Sequence, residues 1–333
     1  MSWLEVRINS PREGVDALEQ LLLDNGAVSV TLVDAADQPL FEPSPGETPL
    51  WHQLVLTGLF PQGTDPYTLR CALAAAWAPT PLPPLRFSEL PDQAWERAWL
   101  DEFNPLRFGN RLWVCPSWWH ADAGTTADWQ PPTADADAWE QRNADLLRAM
   151  EAPGSAVLRL DPGLAFGTGT HPTTALCLRW LDQHPPRGQT LLDFGCGSGI
   201  LGLAALLLNA ACVHGVDNDP QALLATAENC RKNHVAPQCF PTYLPGDWQT
   251  ACTSGKVALM DGILANILAG TLNELAADIC IRLKPGGWLL LSGILVEQAE
   301  SVITAYTPWC EDFTVADEAD WVRISATRRM INA

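Results

Sequence analysis

The sequence predicts an α/β protein in two parts: a small α+β domain followed by a larger doubly wound domain, a parallel sheet with helices on both faces. Three observations predict it. From residue 155 onward, strand-like apolar runs alternate with amphipathic stretches, the rhythm of a parallel sheet covered by helices. One of those runs, Leu191–Leu192–Asp193–Phe194, leads directly into a glycine turn, Gly195–Cys196–Gly197–Ser198–Gly199. Residues 1–90 carry the order β-α-β-β-α-β, the ferredoxin-like plan.

The elements follow in order. Trp3 to Ile8 alternates like a half-buried strand. Val15, Leu18 and Leu22 recur at helical spacing, and Asn25–Gly26 ends that helix. Ala27 to Asp34 alternates again. A proline-rich connector, Pro39 to Pro49, leads to a strand around Leu54–Leu56, a helix from Asp65 to Trp77 and a short strand near Leu85 to Leu90. Between the domains, residues 91–154 read as a linker. It holds a helix with Trp95, Trp99 and Phe103 on one face, a strand at Arg111 to Val114, and a surface insertion from Ala121 to Ala152 with a short polar helix from Ala138 to Met150. In residues 155–333, Ile200 to Leu208 is a helix and Cys212 to Asp217 a strand. Asp219–Pro220 opens a helix reaching Asn233. Val257 to Ala265 is a strand. Leu268, Leu272, Leu275 and Ile279 line one helix face, and Lys284–Pro285–Gly286–Gly287 turns into a strand from Trp288 to Leu291. Ala299 to Tyr306 is the last helix.

Composition bounds the function. With 47% hydrophobic and 18% charged residues, the chain can build a real core. No apolar run reaches the ~20 residues that span a bilayer. The opening residues lack the basic and apolar regions of a secretory signal, so the expectation is a cytoplasmic protein with its ten cysteines reduced. A net charge of -19 repels phosphate backbones, so nucleic acid is not an expected direct partner. The same charge would attract a basic partner, although solvation alone also accounts for it.

The chemistry concentrates at the glycine turn. Glycines let the backbone turn sharply and a ligand approach closely, and doubly wound folds bind ligands at the carboxyl ends of their strands. Gly197-x-Gly199-x-x-Gly202 also fits a dinucleotide fingerprint. Asp217, at the end of the next strand, suits the ribose hydroxyls of either ligand, because a carboxylate accepts two hydrogen bonds from a vicinal diol. Two features tilt the choice toward S-adenosylmethionine (SAM). Asp193 precedes the first glycine, close to where the amino-acid end of SAM would lie. Asn266–Ile267–Leu268 follows the fourth strand, where methyltransferases of nitrogen acceptors carry their acceptor loop. No Gly-Lys-Ser/Thr follows the turn, which excludes a P-loop. A second run, Asp161 to Thr174, is a glycine-rich loop entering a helix. In it, Phe166 offers a ring to cover the ligand and Thr174 lies where helix-start N–H groups suit a carboxylate. For His171, a loop-fixing hydrogen bond is preferred to the role of base. Cys196 has no base beside it and reads as a small residue of the turn. Asp261 is a weak candidate base. No Cys or His spacing suggests a metal.

These motifs, together with Phe41–Glu42–Pro43, Pro45–Gly46–Glu47–Thr48 and Arg107–Phe108–Gly109 through Cys115–Pro116–Ser117–Trp118, resemble the ribosomal protein L-eleven (L11) methyltransferase family (PrmA) along almost the whole chain. The resemblance implies a ferredoxin-like substrate-recognition domain, a linker helix and a Rossmann-like SAM methyltransferase domain. It also implies methylation of lysine ε-amines and the N-terminal α-amine of that ribosomal protein. By motif, the implied SAM contacts are Phe166, Thr174, Gly195, Asp217 and Asn266, to which the turn itself adds Asp193 and Gly197. Asn266 is the candidate catalytic residue, its amide oxygen orienting the acceptor amine. The segment near 121–152 departs from the family pattern. The alternatives are a SAM enzyme of the same fold with another acceptor, and a noncatalytic SAM-binding module.

Overall fold

Leu4, Val6 and Ile8 point to one side of β1 (Ser2–Pro11), and that side is fully packed. The computed structural model describes residues 2–35, 50–79, 81–91, 104–116, 136–161 and 169–330. The Pro39–Pro49 connector, the Trp95–Phe103 linker helix and Phe166 lie outside these residues.

The first unit continues with α1 (Val15–Asp24), β2 (Ser29–Asp34), β3 (Gln53–Phe60), α2 (Pro66–Trp77) and β4 (Leu85–Pro91). Its sheet has the order β2-β3-β1-β4, antiparallel throughout. Leu54, Leu56 and Phe60 join the inner face of β1, and Leu18, Leu22, Leu69 and Leu73 of the two helices close over it. Each such side chain contributes roughly 1.5–3 kcal/mol relative to exposure. Gly26, at φ 97°, ends α1 in a conformation that glycine adopts freely. Asp65 caps α2 by accepting the Thr68 N–H at 2.7 Å.

The chain divides between Leu100 and Asp101. In the second unit, β5 (Leu106–Phe108), β6 (Leu112–Cys115) and β7 (Ala156–Arg159) form a small sheet. β6 and β7 are parallel, and α3 (Ala136–Met150) lies between them in sequence. Alternation explains the packing. Leu112 and Val114 face the main core, whereas Trp113 and Cys115 face Met150, Leu146 and Leu147 of α3. The segment expected to be a surface insertion thus supplies the helix that covers the outer face of this sheet. Asp182 ties the β5–β6 turn to α4 (Pro172–Gln183) by accepting the N–H groups of Asn110 at 2.7 Å and Arg111 at 3.1 Å.

The main sheet is built from β8 (Thr190–Phe194), β9 (Cys212–Val216), β10 (Thr242–Tyr243), β11 (Met260–Asn266), β12 (Leu283–Leu295), β13 (Cys310–Glu318) and β14 (Trp321–Arg328). Their order is β10-β9-β8-β11-β12-β14-β13, with β8 to β12 parallel and β14 antiparallel to both its neighbours. α4, α5 (Ile200–Leu207) and α6 (Pro220–Lys232) cover one face, joined by Leu191, Leu264 and Leu290. α7 (Pro245–Thr253), α8 (Ala269–Glu274), α9 (Ala276–Cys280) and α10 (Ala299–Tyr306) cover the other, joined by Leu192, Ile263, Ala265, Leu289 and Leu291. The sheet is therefore doubly wound, as expected.

Several details differ from the sequence reading. β11 begins at Met260 rather than Val257. The helix expected across Leu268 to Ile279 is two short helices that meet at Leu275. Leu272 and Ile279 are buried, but Leu268 is exposed. Lys284–Gly287 lies within β12, where the pairing with β11 skips from Leu283 to Trp288. β10, α7 and the β13–β14 hairpin have no counterpart in the sequence reading.

Candidate active site

Strand order reverses at β8: the chain runs outward through β9 and β10 on one side and through β11 and β12 on the other. A crevice opens at such a switch point, beyond the carboxyl ends of the strands. Here it is a cavity of about 750 Å³. Thr174, Asp193, Gly195, Gly197, Asp217 and Asn266, six of the seven residues expected at the site, all line it. The seventh, Phe166, lies outside the described residues.

The glycine turn is shaped by conformation and by close approach. Gly195, Gly197 and Gly199 have φ of 76°, 55° and 78°. A Cβ at Gly202, the third residue of the helix, would overlap the Phe240 ring, so this glycine lets α5 pack tightly. Asp193 is 1% exposed and accepts the Gly202 N–H at 2.9 Å, in the first turn of α5. Burial pushes its carboxyl from 3.8 up to about 7. The Gly202 hydrogen bond opposes that rise, and the neighbouring Asp217 charge adds to it. A cation placed beside Asp193 would relieve this cost.

Asp217 braces the turn from β9. Its Oδ2 accepts the Gly197 N–H at 2.8 Å and its Oδ1 the Asp219 N–H at 3.0 Å. Each oxygen retains a further lone pair, which is what a vicinal diol requires. Across the cavity, Asn266 ends β11 and its Nδ2 donates to Thr174 Oγ1 at 3.3 Å. That bond fixes the amide and leaves Oδ1 as its acceptor. Thr174 sits in the first turn of α4, where N–H groups have no intrahelical partner.

His171 is the N-cap of α4. Its Nδ1 accepts the Thr173 N–H at 3.3 Å, and its ring stands edge-on to Trp321 at 4.8 Å. Burial lowers its pKa, which favours the neutral ring that caps the helix. Asp261 is removed as a candidate base. It lies at the start of β11, the opposite end from Asn266, and pairs with Lys284 Nζ at 2.5 Å. Burial raises its pKa, but hydrogen bonds from Lys284 and from the Thr190 N–H outweigh burial and hold it low. Cys196 is buried, and burial drives its thiol far above the ordinary range, which suits packing rather than nucleophilic attack. Among the described residues, no three His, Cys, Asp or Glu side chains are arranged to hold a metal.

The sequence reading missed the walls contributed by Trp248 of α7, Leu275 between α8 and α9, and Trp321 of β14. A signal existed for two of them. Pro245 with Asp247 in the first turn marks the start of α7, and Val322, Ile324 and Ala326 alternate in β14.

A doubly wound sheet with this strand order defines a class I SAM-dependent methyltransferase when the glycine turn, ribose-type acid and strand-end asparagine meet at its switch point. The family described as Ribosomal protein L11 methyltransferase (PrmA) matches residues 2–329. A Ribosomal protein L11 methyltransferase of Cellvibrio japonicus is 46% identical over 328 residues, covering 98% of this chain and 99% of its own. One from Pseudomonas aeruginosa is 45% identical over 329 residues, covering 99% of each. A crystal structure of a ribosomal protein L11 methylase from Lactobacillus delbrueckii superposes with a TM-score of 0.51 at 25% identity, over 68% of this chain and 100% of its own. The chain belongs to the ribosomal protein L11 methyltransferase family, and its methyl donor is SAM.

Proposed function

We propose that this protein transfers methyl groups from SAM to amines of ribosomal protein L11, namely lysine ε-amines and the N-terminal α-amine, in the cytoplasm. The observation that carries the reading is Asn266. Its amide ends β11 in the same cavity as Asp193 and Asp217, and Thr174 fixes its orientation.

The transfer is an in-line displacement at a sulfonium methyl. A nitrogen lone pair forms the new C–N bond as the C–S bond breaks and its electron pair stays on sulfur. The attacking amine must be neutral, against an ordinary lysine pKa of about 10.4. In this reading Asn266 Oδ1 accepts a hydrogen bond from the amine and aims its lone pair at the methyl carbon. Catalysis is then largely positioning, and water takes the proton. Asp217 accepts from the ribose hydroxyls. Asp193, Gly195, Gly197 and Thr174 surround the amino-acid end of SAM, and Phe166 covers it. The cavity fits such a ligand: its volume falls in the 300–1,000 Å³ range typical of ligand pockets, and the Asp193 carboxylate suits the ammonium of its amino-acid end.

Residues 1–90 would recognise L11, since their ferredoxin-like unit is complete and carries none of the proposed SAM contacts. Neither a membrane nor nucleic acid is proposed as a partner. Among the described residues, no helix is long and apolar enough to cross a membrane. The test is Asn266→Ala in single turnover at saturating SAM. A rate at least about 100-fold below the parent is expected, with SAM affinity within a few-fold. A parent-like rate would remove Asn266 from the mechanism.

A further inference from the structure

We infer that Gly293 is a positioning residue for methyl transfer: it seats the backbone of Ile267 and thereby sets where Asn266 presents its amide. This rests on the reading of Asn266 given above. The loop Asn266–Ile267–Leu268 leaves β11 between two neighbouring strands, and each supplies a glycine against Ile267. A Cβ at Gly195, just past β8, would overlap Ile267 Cγ2. A Cβ at Gly293, in β12, would overlap the Ile267 carbonyl oxygen and stand 2.8 Å from its carbonyl carbon and 3.1 Å from its nitrogen. One glycine therefore receives the side chain of Ile267 and the other its peptide group.

Gly293 is built for this contact. Asn266 pairs with Ser292 in the β11–β12 ladder, so Gly293 is the next residue along, and it lines the same cavity. It has φ of 82° and falls where the β12–β14 register shifts between Leu291 and Ile294. The bulge is anchored: Ser292 is fully buried and its Oγ donates to the Val322 carbonyl at 2.9 Å. A bulge of this kind re-aims the chain next to it. Gly188, a left-handed glycine of the same unit at φ 70°, has nothing within 4 Å of the added Cβ and needs glycine for φ alone.

Alanine at Gly293 would force the Ile267 peptide to withdraw by roughly 1 Å, a displacement that can cost on the order of 100-fold in rate when it misaligns reacting groups. The experiment compares full-length parent, Gly293→Ala, Asn266→Ala, the double variant and Gly188→Ala in single-turnover methylation of L11, with SAM affinity measured by calorimetry. Gly293→Ala should be about 10- to 100-fold slower, with SAM affinity within about 3-fold. Because Gly293 acts through Asn266, the double variant should be no more than about 3-fold slower than Asn266→Ala alone. Gly188→Ala carries the φ strain without the contact and should keep the parent rate. If Gly293→Ala lacks a cooperative melt, Ser292→Ala, which removes the hydrogen bond that anchors the bulge carrying Gly293, replaces it and should show slowing with the same non-additivity with Asn266→Ala. Effects that multiply, or a parent-like rate for Gly293→Ala while Asn266→Ala is slow, would overturn the inference. A parent-like rate for Asn266→Ala would instead overturn the reading on which it rests, and this inference with it.

Discussion

Replacing Asp193 with asparagine separates the cost of a buried charge from the value of that charge to the ligand. The side chain is 1% exposed, and the amide of the Asp193→Asn variant could still accept the Gly202 N–H through its own oxygen. In the unfolded chain the carboxyl titrates at 3.8, and in the folded protein at about 7. The folded state thus holds the proton more tightly. The stability this provides is complete below about pH 4 and is lost as pH rises through 7. Three pH units at about 1.4 kcal/mol each amount to roughly 4 kcal/mol at pH 8, an upper bound because a buried carboxylate draws in water. Without SAM, Asp193→Asn should match the parent near pH 4.5 and melt on the order of 10 °C higher at pH 8. SAM reverses the balance in this reading, since the ammonium of its amino-acid end gains from an ionised Asp193. The variant should lose at least about tenfold in SAM affinity at pH 8. The parent should release protons on binding SAM near pH 6.5, seen as a buffer-dependent calorimetric enthalpy. Equal destabilisation of the variant at pH 4.5 and pH 8, with buffer-independent binding heat in the parent, would refute the reasoning.

Two further outcomes follow from the same geometry. Asp217→Ala removes the proposed ribose acceptor and frees the N–H groups of Gly197 and Asp219, so SAM affinity measured by calorimetry should fall about 10- to 100-fold. A chain beginning at Asp101, where the second unit starts, should bind SAM with parent-like affinity and leave intact L11 unmethylated; methyl incorporation near that of the full chain would return residues 1–100 to a structural role.

What the sequence disclosed was what short-range chemistry encodes. The Asp193–Gly199 turn was legible because glycines at positive φ follow a strand of aliphatic residues, and Asp217 because it ends the next strand. Asn266 was legible from its place after the fourth strand of the sheet. What remained hidden depends on contacts distant in sequence. β13 offers Glu–Asp–Phe–Thr–Val–Ala–Asp–Glu after its single buried residue, Cys310, because an edge strand has little to bury. The one glycine between Leu268 and Ile279, Gly270, lies inside the first of the two helices, so the break at Leu275 reflects packing rather than a local signal. Asp261 reads as a free carboxylate until Lys284, 23 positions away, folds against it. The segment near 121–152 looked like an insertion because its polar composition conceals Leu146, Leu147 and Met150, which cover β6 and β7.

The most direct test of the central claim is the intact mass of purified ribosomal protein L11 after incubation with this protein and SAM. The account predicts a ladder of adducts one methylene apart, located by fragmentation at lysine side chains and the N-terminal amine, absent when SAM is omitted and formed far more slowly when Asn266→Ala replaces the parent. An unchanged mass of L11, from protein that binds SAM in the same preparation, would contradict it.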